Sequence, residues 1–229
     1  AAFTGALAPI LVDRIMNQDV PQATKDLWKI AVTRHGDPKL GDASAKEAGQ
    51  VNRMLHLALP AFETVRATDW GAVVAWPLPW SDEELAGRMG LSIGQMLGGQ
   101  FLVEKNDRGR CRARLVRIGA ACDYAQSRSG PITYLLGLEI PEDAARKKDA
   151  KGQQIRLSDA IWVSPVFLAP ESPDPFRLHV HARFSLSVLP DSCAGWNSSY
   201  RLREQLLMHL IAFESDYGSR PGIVQLPVR

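Results

Sequence analysis

Residues 177–189, with the sequence RLHVHARFSLSVL, decide the fold class because polar and apolar side chains alternate from Arg177 to Val188. Successive side chains of a β-strand point to opposite faces, so this alternation predicts a strand with one face toward a core. Five stretches upstream have the bulky or β-branched character of strands, namely 69–76, 100–104, 110–118, 132–140 and 160–169. The sequence NDRG predicts a hairpin turn within this series, and the proline-rich sequence PESPDP precedes the last strand. Strands that follow one another through turns predict an antiparallel sheet.

Apolar residues at helical spacing occur on both sides of these strands. On the N-terminal side we predict three helices, the first after Thr4 and the others over 21–34 and 43–59. On the C-terminal side, residues 200–219 predict one long amphipathic helix.

The predicted fold class is therefore α+β. Residues 1–60 form an N-terminal helical segment, and residues 61–229 form a small antiparallel β-barrel, SH3-like or OB-like, closed by the C-terminal helix. Within the barrel we expect a short helix with Ser81 as its N-cap, because Glu84 follows three residues later in a capping-box pattern.

The bulk composition argues against several function classes. The 229 residues include 27 basic and 25 acidic side chains, a net charge of +2 that is too balanced for nucleic-acid binding driven by overall charge. Three cysteines without a Cys-x-x-Cys pair indicate free thiols, which are typical of the cytoplasm. No apolar run is long enough to cross a bilayer, so we expect no membrane partner.

The first candidate binding site is a run of arginines at every second position. Its members are Arg108, Arg110, Arg112 and Arg114. On a strand these four side chains share one face, where guanidinium groups could bind phosphate or an acidic partner. For nucleic acid, Trp70, Trp76 or Trp80 would stack on the bases. The alternative is a solvated edge strand whose charges prevent aggregation, and the near-neutral chain favours it.

The second candidate site is the pair Cys122-Asp123, which ends the arginine strand. A nucleophilic cysteine needs a base, and His179 or His181 could serve, with Asp123 or Arg220 as an orienting group. The alternative is that Cys122 is a small buried residue at a corner of the barrel, with Asp123 binding the turn backbone. The two histidines lack a third ligand at suitable spacing, so we predict no metal site, and no cofactor motif is present.

Within residues 100–225, four blocks form a distinctive set: IGAACDYAQ, ITYLLGLEIP, FRLHVHARFSLSVLP and YRLREQLLMHLIAFESDYGSRPGIV. As a set they resemble a family of largely uncharacterised bacterial proteins. The family pattern is a strand ending in Cys-Asp-(Leu/Ile), a second strand, and a final helix with an Arg-Leu start and an Arg-(Pro/Ile)-Gly end. This chain departs from it at Tyr124 and in the charged insertion 141–154. The resemblance implies a regulatory module, found behind receiver-like domains or in signalling and phage-conflict contexts.

The leading functional prediction is a non-enzymatic regulatory or interaction module of a bacterial signalling or defence-linked protein in the cytoplasm. Since the chain begins at Ala1 rather than Met, we expect it to be part of a longer protein with an upstream sensory domain. Residues 1–60 would dock a protein partner. The alternatives are a cysteine-dependent enzyme using Cys122 and a nucleic-acid-binding protein using the arginine strand.

Overall fold

The computed structural model describes residues 44–60, 63–126, 130–168 and 174–219. The predicted helices after Thr4 and over 21–34 lie outside the described residues, as does Arg220.

Within these ranges, seven strands form one antiparallel sheet, which curls into a half-barrel. They are β1 (Leu57–Ala58), β2 (Ala72–Ala75), β3 (Arg112–Arg117), β4 (Ile132–Pro141), β5 (Ile161–Leu168), β6 (Pro175–Val188) and β7 (Ser198–Leu202). Their order across the sheet is β1-β7-β2-β3-β4-β6-β5, so β1 and β5 are its two edges. The predicted α+β class and antiparallel sheet are confirmed.

Six α-helices accompany the sheet in the described part of the chain. They are α1 (Ala45–His56), α2 (Asp82–Met89), α3 (Ile93–Gln95), α4 (Ala121–Ala125), α5 (Pro190–Cys193) and α6 (Glu204–Ser219). The predicted N-cap of α2 is confirmed, since the Ser81 hydroxyl accepts a hydrogen bond from the Glu84 amide at 3.2 Å. The Glu84 side chain does not complete the capping box there and instead pairs with Arg88.

Helix α1 lies between the two edges of the curled sheet. It continues directly into β1, and it also packs on the opposite edge strand, β5. Asn52 donates to the Val166 carbonyl of β5 at 2.9 Å, and Arg53 donates to the Leu168 carbonyl at 3.5 Å. Because β1 pairs with β7, the sheet begins before residue 60, where the sequence placed the end of the helical segment.

Both faces of the sheet are covered by apolar side chains. On one face, Phe176, Leu178 and Val180 of β6 belong to a core that includes three leucines of α6. On the other face, Leu136 and Leu138 of β4 pack against residues from the segment that contains α2 and α3. This double coverage explains why β4 reads as a nearly continuous apolar run instead of an alternating one.

The predicted strand 100–104 and the NDRG hairpin are wrong. A π-helical turn occupies Met96–Gln100 and a 3-10 helix occupies Lys105–Arg110, with a single bridge from Val103 to Arg146. Leu102 adopts a left-handed backbone with φ 58°, which interrupts any extended run through this segment.

The predicted helix 200–219 begins four residues later than expected. Residues Ser198–Leu202 instead form β7, which pairs with both β1 and β2. Tyr200 and Leu202 are buried while Ser199 and Arg201 are not, so the local period is two rather than helical.

Candidate functional site

Two of the predicted binding arginines hold a buried carboxylate. Arg114 binds both oxygens of Glu139, and the Nε of Arg112 lies 2.8 Å from Oε2 of the same group. Glu139 is 2% exposed, and the Tyr200 hydroxyl donates to it at 3.0 Å. Burial, reinforced by the charge of Glu139, holds the pKa of Tyr200 well above its usual range, so Tyr200 remains a donor.

This arrangement corrects the interpretation of the arginine run. Strand β3 lies between β2 and β4, so it is not a solvated edge strand. Arg108 and Arg110 belong to the 3-10 helix before it, and Arg110 pairs with Asp107 at 3.0 Å and with Asp143 at 2.7 Å. The four arginines therefore do not form one continuous stripe. A cavity of about 240 Å³ opens beside the network, lined among others by Arg110, Arg112, Glu139 and Phe176.

The tryptophans do not gather beside these arginines. Trp70 packs against the core on the α6 face and donates to the Gly119 carbonyl at 2.9 Å. Trp76 packs against the cores of the opposite face and contacts Trp80 edge to face, with ring centroids 5.4 Å apart. The structure thus brings together no common stacking platform for the three rings.

Cys122 lies in α4 and is exposed, so the interpretation of this residue as a buried corner is wrong. Its Sγ lies 3.8 Å from Oδ1 of the neighbouring Asp123. Arg117, at the end of β3, pairs with Tyr134, whereas His179 pairs with Leu138, four residues farther along β4. At roughly 3.4 Å per residue this is about 14 Å. Cys122 follows Arg117 in the chain, beyond the end of β3 that lies farther from His179. The structure therefore does not bring Cys122 to His179.

Both candidate histidines are buried on the face of β6 that packs toward α2 and α3. His181 lies within hydrogen-bonding distance of Gln100 at 3.2 Å and accepts from the Arg183 amide at 3.2 Å. Burial lowers the pKa of His181 to about 4, with a smaller contribution from Arg183. The Nδ1 of His179 has no hydrogen-bond partner among the described residues, and burial, with Arg146 and Arg177, lowers the pKa of His179 to about 3. At neutral pH both rings are uncharged members of the core.

A groove that the sequence did not predict runs along the first half of the edge strand β5. It has a volume of about 600 Å³. Its lining includes Arg146, Ile155, Arg156, Leu157, Val163 and Phe213. Apolar side chains from the segment just before β5, from β5 itself and from α6 thus line one opening, together with Arg146 and Arg156.

The backbone of β5 is open beside this groove. The Ala182 amide donates to the Ala160 carbonyl at 2.9 Å, which fixes the phase of the β5–β6 ladder. In that phase Ile161 and Val163 direct their backbone groups away from β6. The Ile161 amide donates to the Ser158 carbonyl at 3.0 Å. Within the described residues, the Ile161 carbonyl and both backbone groups of Val163 have no protein partner.

The groove is positively charged on one side. Arg146 is half-buried and makes no ion pair with any described carboxylate. Arg156 pairs with Asp159 at 2.9 Å, although both side chains are largely exposed. The sequence signal for this site was indirect, since Ser164-Pro165 within the predicted strand 160–169 marks an edge position.

Two features are absent from the described residues, namely a metal-binding cluster and a membrane-spanning helix. Within the described ranges, no group of three or more His, Cys, Asp and Glu side chains could hold a metal ion. None of the helices in the described part of the chain combines the length and the apolar character needed to cross a membrane. A comparison of the chain with protein-family models, curated proteins and solved structures finds no match.

Proposed function

We propose that the protein is an interaction module that binds an extended segment of a partner protein as an added strand on β5. The observation that carries this proposal is the unpaired backbone of Ile161 and Val163 beside an amphipathic groove. Strand addition to an exposed sheet edge is a recurrent mode of peptide recognition, in which main-chain hydrogen bonds give affinity and flanking pockets give specificity.

The open backbone groups match what an incoming strand needs. The amide and carbonyl of Val163 can exchange two hydrogen bonds with one residue of an antiparallel partner, and the Ile161 carbonyl can accept a third. Side chains of the added strand would alternate between the two walls of the groove. Of the lining residues, Leu157 packs with the core on one face of the sheet and Phe213 packs with the core on the other face.

The rest of β5 is protected, which makes the open part a defined site. Pro165 has no amide hydrogen to offer a neighbouring strand, and α1 covers the Val166 and Leu168 carbonyls. Because the second half of β5 is blocked, only a short segment can pair with this edge.

The charge of the groove indicates the chemistry of the partner segment. Arg146 lacks a carboxylate partner among the described residues, so an acidic side chain on the incoming strand would supply one. The partner segment that fits best is extended and alternates apolar with acidic residues. The resemblance in sequence supports placing this module in a bacterial signalling or defence-linked protein in the cytoplasm, where binding would be regulatory.

The test uses fluorescein-labelled nonapeptides of alternating Val and Asp residues, titrated with the full chain and followed by fluorescence anisotropy. We expect Arg146→Glu to weaken binding at least tenfold and Lys151→Glu, on an exposed loop position, to leave it unchanged. A nonapeptide in which proline replaces the valines, so that those positions have no backbone N–H, serves as the backbone control and should not bind. Amide exchange gives an independent measure, because the free Val163 amide exchanges quickly and becomes protected in the complex. Equal binding by the Arg146→Glu variant, or an unprotected Val163 amide at saturation, would overturn the proposal.

A further inference from the structure

We propose that Arg108 and Lys147 form a binding site for a phosphate-type oxyanion. This site lies on the 3-10 helix and the insertion, and its argument does not depend on peptide binding at β5.

Two cationic groups converge on the backbone of one glycine. A Cβ placed on Gly98 would lie 2.0 Å from Nη2 of Arg108 and 3.3 Å from Nζ of Lys147. Gly94, one turn earlier, is 3.9 Å by the same measure from Nη1 of Arg108. The guanidinium therefore lies along a helix face that has no side chains, and the ammonium group reaches the same place. A Cβ at position 98 would overlap the guanidinium, so glycine at this position lets Arg108 lie directly against the helix backbone.

Backbone contacts fix both residues in position. The Arg108 Nε donates to the Val103 carbonyl at 3.3 Å. The Lys147 amide donates to the Leu102 carbonyl at 2.8 Å, and its carbonyl accepts from the Ile155 amide at 3.0 Å. Leu102 holds its carbonyl there from a left-handed backbone conformation, which is costly for a leucine. These contacts, rather than a chance encounter of mobile surface side chains, bring the two charged groups together.

The two charges are not neutralised within the described chain. Neither Arg108 nor Lys147 forms an ion pair with any described carboxylate, whereas the neighbouring Arg110 lies within ion-pair distance of three aspartates. Like charges held this close repel each other, and an anion between them converts the repulsion into two attractive contacts. A tetrahedral oxyanion suits the geometry because a guanidinium binds two of its oxygens and an ammonium binds a third.

The experiment measures thermal unfolding of the full chain with inorganic phosphate and with phenyl phosphate, at constant ionic strength maintained with chloride. We expect each phosphate to raise the midpoint of the wild-type protein in proportion to its occupancy, and the double variant Arg108→Gln, Lys147→Met to lose this rise. A larger shift with phenyl phosphate identifies the ligand as an organic monoester, and an equal shift identifies the free anion. Lys105→Met, an exposed cation on the same 3-10 helix, is the matched control and should respond as the wild type does.

If the two cations had only a structural role, the double variant would be less stable than the wild type by the same amount in chloride and in phosphate. If they bind an anion, phosphate should widen the difference between the two midpoints beyond that measured in chloride alone. A wild-type midpoint that phosphate does not raise, or that it raises equally in the double variant, would overturn the proposal. If the double variant does not fold, the phosphorus NMR linewidth of inorganic phosphate with wild type and with Lys147→Met decides the question. Only the wild type should broaden the signal.

Discussion

Arg114 binds both carboxylate oxygens of Glu139, through Nε at 2.8 Å and Nη2 at 3.0 Å, on adjacent strands of the sheet interior. The Glu139 side chain is 2% exposed and that of Arg114 is 11% exposed, so the pair is largely removed from water. Removing one partner of such a pair leaves an uncompensated charge, whereas replacing both by apolar residues removes the cost of desolvation.

We therefore expect Glu139→Leu to destabilise the protein by about 3–5 kcal/mol, since two arginines lose their shared carboxylate. Adding Arg114→Met to that variant should recover a large part of the loss. The free energy of unfolding from urea titrations checks both values. A double variant less stable than Glu139→Leu alone would show that the pair does not stabilise through charge compensation.

The network also shows how far the sequence could predict this site. Period-two spacing correctly placed Arg112 and Arg114 on one face that becomes buried at Val116. It could not identify Glu139 as their partner, because Glu139 lies in a predicted strand of nearly continuous apolar residues whose register was unknown. Local periodicity gives the face of a strand, while the neighbour across the sheet depends on the order of distant strands.

The same limit explains the elements that the sequence missed. The pattern at Ser198–Leu202 spans only five residues and runs directly into the amphipathic α6, so the longer helical period concealed the strand. The groove beside β5 depends on which strand ends the sheet, and that is a property of topology. Cys122 was misplaced for a different reason, since the tendency of cysteine to be buried does not determine any single position.

The contact between α1 and β5 gives a second prediction. A Cβ on Gly49 would lie 2.9 Å from the Phe167 carbonyl carbon and 3.0 Å from the Leu168 nitrogen, both of them backbone atoms. We expect Gly49→Ala to push α1 away from the edge strand and to destabilise the protein by roughly 1–3 kcal/mol.

Gly87 in α2 is the matched control for that substitution. A Cβ there would meet no atom within 4 Å, so Gly87→Ala should stabilise its helix by up to about 1 kcal/mol. Thermal unfolding of both variants provides the measurement. Equal shifts of the two midpoints in the same direction would contradict the close approach of α1 to β5.

The buried histidines make the fold sensitive to mild acid, and the sign follows from their lowered pKa values. His179 and His181 titrate at about 3 and about 4 in the folded protein and near 6.5 when unfolded. Above pH 6.5 both histidines are neutral in the folded and in the unfolded chain, and their contribution to stability is fully present. As the pH falls from 6.5 toward 4, only the unfolded chain binds protons at these two rings, so the free energy of unfolding decreases. Each histidine should contribute a slope of about 1.4 kcal/mol per pH unit in that window.

His179→Leu isolates one of these contributions. The Nδ1 of His179 is buried and has no hydrogen-bond partner in the described part of the chain, so an apolar residue of similar size removes an unsatisfied group as well as a protonation site. We expect the variant to be at least as stable as the wild type at pH 7 and to show a shallower loss of stability between pH 6.5 and pH 4. Urea titrations across this range measure the free energy of unfolding of both proteins. The carboxylates are the same in both, so their titration cancels in the difference between wild type and variant. An unchanged slope would show that His179 does not remain neutral in the folded protein, and a loss of stability at pH 7 would show that its ring makes a contact that leucine cannot replace.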